Sequence, residues 1–303
     1  MTLQLTPVFV RNIRQAFGAA GQRYLDELPA LLDEAARRWD LSLGEPFLLS
    51  YNYVCAAARA DGSPAVLKLG VPNRELTSEM NTLRLYAGEG ACRLLEADPA
   101  RGMLLEERLQ PGTMLVTLED DVQRTAVAAG VLRRIQRAAP PGVDFLSLRG
   151  WFDDLKSLRP RFSGGTGPYS ERAVSAVEGI LAELFAEDRP QVLLHGDFHH
   201  YNILESERGW LVIDPKGVVG AAEYEACPFL LNPLGPPPPE AEAIRQTQDR
   251  MAIFCEQLGW DRQRLWRWAL CFSLLSSWWD LAEDGSGGEA ARAWLEILLK
   301  LKL

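Results

Sequence analysis

Leu194-His195-Gly196-Asp197-Phe198-His199-His200-Tyr201-Asn202-Ile203-Leu204, followed after a short polar turn by Trp210-Leu211-Val212-Ile213-Asp214-Pro215-Lys216-Gly217, is the stretch that decides how this 303-residue chain folds. Its apolar runs flank a polar loop, the pattern of two short strands around a turn. All three histidines of the chain fall inside it, at His195, His199 and His200. Histidines used only as core filler would not cluster in this way. Taken singly, His and Asp in a turn are solvated loop residues, and Asp-Pro before Gly is a turn signal. Taken jointly, between hydrophobic strands, they describe a loop held in one place for chemistry. A zinc site built from the three histidines is the other account; it lacks a fourth, distant histidine and a well-placed cysteine.

Asp197 precedes Asn202 by five residues, and Asp214 follows Asn202 by twelve at the end of an apolar strand. This spacing is similar to that of the catalytic loop and metal-binding aspartate of the protein-kinase-like fold. Phosphoryl transfer accounts for the residue types. Charge builds on phosphate oxygens, so a cation must be held there by hard oxygen ligands. Asn202 and Asp214 supply an amide carbonyl and a carboxylate suited to Mg²⁺. Asp197 lies beyond them, where it can orient a substrate hydroxyl and accept its proton. His195 is expected to hold the loop by hydrogen bonds to backbone or to neighbouring carboxylates.

Upstream, residues 24–39 put Leu25, Leu28, Leu32, Ala35, Ala36 and Trp39 on one helical face. Two β-rich runs follow at 46–59 and 64–69, joined by Ala60-Asp61-Gly62-Ser63, a hairpin signal. A helix from about Pro72 to Gly88 comes next, then strands near 91–96 and 102–107. Lys68 sits in the nearly continuous apolar strand Ala65-Val66-Leu67-Lys68-Leu69, where an ammonium must snorkel or be paired. Glu79, on the next helix, is the expected partner, and the pair would aim Lys68 at nucleotide phosphates. Glu75 on the same helix competes for that role, and an edge-strand lysine with an exposed glutamate explains the same letters. Backbone groups of Glu107 and Leu109 are expected to bind the nucleotide base at a hinge around Leu109-Gln110-Pro111-Gly112. Beyond it the chain reads as mainly helical, with helices at 117–137, 170–187, 240–258, 261–282 and 289–300. The expected fold class is therefore α+β: a small antiparallel β N-terminal lobe (1–108) and a larger, mainly helical C-terminal lobe (109–303).

These residues resemble the aminoglycoside phosphotransferase group of kinases, and most closely its streptomycin and hydroxyurea phosphotransferase branch. The carriers are LLHGDFHHYNIL (193–204), WLVIDPKGVVG (210–220) and LLNP (230–233), with weaker similarity in AVLKLG (65–70), SEMNTLRLYAG (78–88) and LLEERLQPG (104–112). DPK, in place of DFG or DxD, points to that branch. The resemblance implies a two-lobed protein-kinase-like fold, ATP or in some members GTP with Mg²⁺, and inactivation of a drug by phosphorylation of one hydroxyl. It implies Asp197 as the base, Asn202 and Asp214 as metal ligands, and Lys68 with Glu79 at the phosphates. Glu225 matches a carboxylate position that orders the catalytic loop or touches substrate; a charge favoured at a helix start is the plainer account. Two departures stand out. Ser50-Tyr51-Asn52-Tyr53 has no glycine where a phosphate-covering loop usually does, and Lys216 either reaches phosphate or decorates a turn. Trp278, Trp279 and Asp280, with Glu283 and Asp284, form either an aromatic and acidic pocket for a cationic acceptor or a buried helix seam with solvated carboxylates behind it.

The rest of the composition narrows the class. A formal net charge of −9 argues against a nucleic-acid partner, since no basic stripe is available to displace counterions. Five scattered cysteines, an odd number without metal or redox spacing, fit reduced thiols in the cytoplasm. The N-terminal MTLQLTPVFVRNIRQAF does not read as a secretion signal. Leu265 to Leu281, interrupted by Arg267 and Asp280, reads as a buried helix and not a membrane span. A metabolic kinase of an amino alcohol or sugar would use the same machinery, and a nucleotide-binding pseudokinase would share the fold. A protein substrate is disfavoured by the lack of an Ala-Pro-Glu signal after Asp214.

Overall fold

The structure, a computed structural model, describes residues 4–233, 235–284 and 287–301, with the side chains of 283 and 284 outside the description. Its N-terminal lobe is a five-stranded antiparallel sheet, β1 (Leu41–Pro46), β2 (Tyr53–Arg59), β3 (Pro64–Leu69), β4 (Leu94–Asp98) and β5 (Met103–Glu107), in the order β1-β2-β3-β5-β4. Both faces are covered. Helix α1 (Pro7–Arg38) lays Phe9, Ile13, Tyr24, Leu28 and Leu31 on Cys55, Leu67, Leu69, Met103 and Leu105. Helix α2 (Arg74–Tyr86) packs Leu76, Met80 and Leu83 against Leu104 on the other face. Burial on both sides is why β3 reads as an unbroken apolar run and does not alternate.

Helix α1 reaches well before the expected start at residue 24. Thr6 caps it, its hydroxyl accepting from the Phe9 N–H at 3.3 Å, and Pro7 stands at the first helical position. A kink at Gly18 (φ +52°) interrupts the apolar period and hides the first half from a periodicity reading. Strand β1 also precedes the expected run at 46–59, meeting it only at Pro46: it is a half-exposed edge strand containing Gly44.

The C-terminal lobe carries α3 (Asp121–Ile135), α4 (Leu148–Phe152), α5 (Leu158–Arg161), α6 (Glu171–Ala186), α7 (Cys227–Leu230), α8 (Glu240–Leu258), α9 (Arg262–Asp284) and α10 (Glu289–Leu298). Helix α9 is its axis, burying Leu265, Trp268, Leu270, Leu274, Leu275 and Trp278 in one core with Phe229 and Phe254. Among the described residues no helix is long and apolar enough to cross a membrane. Two small sheets complete the lobe. One runs β10 (Gly209–Val212), β9 (Ile203–Ser206), β6 (Pro111–Met114); the other runs β7 (Leu146–Ser147), β11 (Val218–Gly220), β8 (Val192–Leu194). The expected two strands between 192 and 214 are thus three, and β6, β7 and β11 were not expected at all.

The lobes meet through backbone as well as side chains. Val212 donates to Gly90 O and accepts from the Cys92 N–H, each at 2.9 Å. The Arg208 guanidinium grips Gly88 O at 2.6 Å and also the Glu107 carboxylate.

Candidate active site

Strand β8 ends at Leu194 and β9 begins at Ile203, so residues 195–202 form a turn whose ends are fixed by two separate sheets. Gly196 holds φ +86°, and a Cβ there would lie 2.9 Å from Val218 and 3.0 Å from Trp151. Glu225 lies beneath the turn, buried, with one carboxylate oxygen taking the Gly196 N–H at 2.9 Å and the other the His195 N–H. Burial pushes Glu225 up to about 7 against the pull of those two N–H groups. His195 is fully buried, its Nε2 at 2.8 Å from Ile213 O and its Nδ1 accepting from the Asp197 N–H at 3.2 Å. That network assigns the proton to Nε2, and burial pushes the ring down to about 4, so it is neutral. His195 and Glu225 therefore shape the turn from below.

On the upper side the three oxygen-bearing residues converge. The Asn202 side-chain amide donates to Asp197 O at 2.9 Å and to Asp197 Oδ2 at 3.2 Å, which leaves its Oδ1 as the acceptor end. The Asn202 backbone carbonyl accepts from the Ile213 N–H at 3.0 Å, setting Asn202 beside Asp214 across the β9–β10 pair. His199 Nε2 lies 3.3 Å from Asp197 Oδ1. Burial alone would raise Asp197, but His199 and Lys216 outweigh it and hold the carboxyl at about 2. Asp197 is thus ionised at neutral pH and able to accept a proton.

Asp214 stands in the left-handed region at φ +58°, unusual for a side chain larger than glycine and a mark of a position fixed by its surroundings. Its carboxylate meets the Lys68 ammonium and lies 3.9 Å from Lys216 Nζ. Burial works against its charge, yet Lys216 and Lys68 hold it well below the usual carboxylate range. Lys68 Nζ also reaches Glu79 Oε1 at 2.6 Å. Burial pulls the Lys68 ammonium down, but Asp214, Glu79 and Glu106 more than compensate and keep it charged. Lys216 Nζ pairs with Glu75 Oε1 at 3.1 Å. Helix α2 so supplies two carboxylates one turn apart, each to a different lysine, and the competition between Glu75 and Glu79 resolves into two separate roles.

An amide oxygen and a carboxylate held anionic by two ammonium groups make a donor set of the hard-oxygen type that Mg²⁺ takes. Among the described residues no three His, Cys, Asp or Glu side chains gather to hold a metal. A cation at Asn202 and Asp214 would complete its shell with phosphate oxygens and water.

The remaining expected residues fall into two groups. Leu109 is buried at the hinge, and the Glu107 N–H is taken by Arg93 O at 2.9 Å, so only the Glu107 carbonyl could meet a base. The Glu107 side chain is engaged by Arg208 and by the Arg93 N–H. Away from the hinge, two expected acceptor contacts need correcting. Glu225 is covered and spends both oxygens on backbone, and Trp278 is 3% exposed in the α9 core with its Nε1 donating to Asp154 O at 3.2 Å. Helical phase explains the second correction, since the next indole, Trp279, is the half-buried one. It meets Trp151 edge-on at 5.5 Å and donates to Asp154 Oδ2 at 2.8 Å. Asp280 is exposed on α9 near Gly287; the side chains of Glu283 and Asp284 lie outside the described residues. Sequence reasoning left Lys216 undecided, named His199 only within the histidine cluster and its zinc alternative, and passed over Trp151 and Glu106. Of these only His199 carried a local signal, as the histidine two places after Asp197.

Residues 40–285 match the model of a family described as aminoglycoside/hydroxyurea antibiotic resistance kinase. The chain is 33% identical over 278 residues to streptomycin 6-kinase of Streptomyces glaucescens, covering 90% of this chain and 89% of that one. It is 35% identical over 277 residues to hydroxyurea phosphotransferase of Kitasatospora aureofaciens, covering 88% and 77%. Among solved structures, a thermostable mutant of aminoglycoside phosphotransferase APH(4)-Ia in ternary complex with ADP and hygromycin B shares the fold. Its TM-score is 0.57 at 16% identity, with 88% of this chain and 97% of that chain covered. The converging Asp197, Asn202 and Asp214, the lysine that faces them from the N-terminal sheet and the match along most of the length lead to one conclusion: this chain belongs to the aminoglycoside/hydroxyurea antibiotic resistance kinase family.

Proposed function

We propose that the chain transfers the γ-phosphate of ATP, taken up with Mg²⁺, to one hydroxyl of a small cationic molecule of the aminoglycoside type, with streptomycin the first acceptor to test. The observation that supports this reading is Asn202, whose side-chain amide donates to Asp197 and whose backbone carbonyl takes the N–H of Ile213, the residue before Asp214, while Asp214 itself meets Lys68. The named activities of the relatives and the ADP and antibiotic bound to the structural neighbour support it.

In this reading Lys68, steadied by Glu79, takes the α- and β-phosphates, and Asn202 and Asp214 hold the cation. Bound Mg²⁺ would neutralise charge on the β- and γ-phosphate oxygens. Lys216, anchored by Glu75, places a second fixed positive charge on the far side of Asp214. That charge is apt where the Ser50–Tyr53 turn has no glycine-rich backbone to wrap a phosphate. The acceptor oxygen forms its bond to phosphorus as the bridging P–O bond breaks and ADP leaves. Asp197 receives the hydroxyl proton. His195 and Glu225 act through the turn as positioning residues. All five cysteines are unpaired, which supports a reducing, cytoplasmic setting.

The test is ATP consumption, with product mass, against streptomycin, other aminoglycosides, hydroxyurea and simple amino alcohols. Phosphorylated streptomycin is the expected product. Asp197→Ala should lower turnover by about 10²- to 10⁴-fold while the ATP-induced thermal shift persists. ATP binding without transfer to any acceptor would reduce the protein to a nucleotide-binding module. Loss of ATP binding in a folded Asp197→Ala variant would contradict the role given to Asp197.

A further inference from the structure

One carboxylate in the interlobe cleft helps keep Lys68 charged yet makes no hydrogen bond to it. On β5 the side chains alternate, Met103 and Leu105 toward α1, Leu104 and Glu106 toward the cleft. In register Leu104 faces Lys68 and Glu106 faces Val66. Glu106 therefore shares the sheet face of the phosphate lysine and sits one residue before the hinge. It is 7% exposed, and among the described residues its Oε1 is buried without a hydrogen-bond partner. Beyond the charges of Lys68 and Asp214, its surroundings are apolar: Cys92, Leu104 and Leu109 are buried nearby, while Val66, Leu204 and Ile213 are only half-buried. Half-buried apolar side chains on both sides of a cleft make a slot for a flat ring. A carboxylate oxygen left without a donor in such a slot is costly, and a ligand that brings the donor relieves that cost.

We propose that Glu106 reads the 6-position of the purine, accepting a hydrogen bond from the amino group of adenine and rejecting the carbonyl of guanine. The proposal rests on the reading above that the cleft holds a nucleoside triphosphate. With phosphates at Lys68 and the base edge at Glu107 and Leu109, the ring lies below Val66, and its 6-substituent points at Glu106. Adenine offers two N–H groups there, one for the Glu107 carbonyl and one for the Glu106 carboxylate. Guanine offers only oxygen lone pairs, which would face a carboxylate and a carbonyl together.

The experiment measures dissociation constants at pH 8 for ATP, GTP and purine riboside triphosphate, which lacks the 6-amino group. Wild type, Glu106→Gln and Glu106→Leu are compared. Wild type should bind ATP about 10- to 100-fold more tightly than either other nucleotide, the range for a hydrogen bond to a charged group. Glu106→Gln, whose amide can turn its NH₂ toward a carbonyl, should bring GTP to within a few-fold of ATP. Glu106→Leu should keep only the few-fold preference for ATP over purine riboside triphosphate that the Glu107 carbonyl supplies. Equal affinities in wild type, or unchanged selectivity in folded Glu106→Gln, would overturn the role of Glu106 and leave the nucleotide reading intact. No binding of any nucleotide by wild type would overturn both.

Discussion

His200 has neither ring nitrogen hydrogen-bonded among the described residues, is fully buried, and stacks on Phe229 with centroids 3.8 Å apart. Burial, with Arg250 and Arg124 close by, pushes it down to about 2. The folded pKa is thus below the unfolded value of 6.5. As pH falls below that value the unfolded chain binds a proton that the folded chain refuses, so stability is lost on acidification. His200→Phe keeps the stacking and removes that proton. Between pH 6 and pH 4 its stability should fall less steeply than that of wild type, by about 1.4 kcal/mol per pH unit. Urea melts across that range check it, and parallel curves would show that the ring takes up its proton in the fold. Comparison with the variant is essential, because the buried carboxyl of Glu225 titrates in the opposite sense. Of the three histidines, then, His195 fixes backbone, His200 fills core and His199 is the one that meets the Asp197 carboxylate. Their clustering was legible in the chain; the division of labour was not, because it depends on which side of the turn each ring faces.

At the scale of elements, α2 matters most. Asn73 caps it, accepting from the Leu76 N–H at 2.8 Å, and Ala87 ends it in the left-handed region at φ +50°. Its register against Asp214-Pro215-Lys216-Gly217 is set by close approach: Ser78 Oγ donates to Gly217 O at 2.6 Å. A Cβ on Gly217, at φ +69°, would lie 2.2 Å from Thr82 Oγ1 and 2.7 Å from Ser78 O. Gly217→Ala must push the helix away and so loosen both Lys68–Glu79 and Lys216–Glu75. We expect a destabilisation of about 1–3 kcal/mol and an ATP affinity weakened about tenfold, although Gly217 has no side chain to touch the nucleotide. Calorimetry and an ATP titration measure the two effects; unaltered affinity would show that α2 does not depend on this contact. Helices such as α8 and α2 were readable because long amphipathic segments advertise their period and their caps. Strands β1, β6, β7 and β11 were not, being short, half-exposed or set by a partner strand distant in the chain.

For the whole molecule, the two lobes are joined by backbone hydrogen bonds at Gly90, Cys92 and Val212 and by Arg208, which spans Gly88 and Glu107. The charged and polar residues that face the cleft come from both sides: Lys68, Glu75, Glu79 and Glu106 from the N-terminal lobe, Asp197, Asn202, Asp214 and Lys216 from the other. A nucleotide bound among them stabilises both lobes at once. ATP with Mg²⁺ at 100 times its dissociation constant should add about 2.7 kcal/mol, or about 4 °C in melting temperature, to a single unfolding transition. Two transitions of which only one moved would mean that the lobes unfold independently and that one of them carries the site.

The chain by itself determined the two-lobed fold and made four charged or polar residues of the candidate site legible: Asp197, Asn202 and Asp214 through their spacing, and Lys68 as a lone charge in an apolar strand. Tertiary structure alone decided the rest. Glu75 meets Lys216 across 141 positions, Glu106 enters the cleft only because β5 pairs with β3, and of the two neighbouring indoles it is Trp279 that stays half-buried while Trp278 enters the core, through the phase of one helix. Contacts of that kind follow from register, packing and burial, which local spacing does not encode.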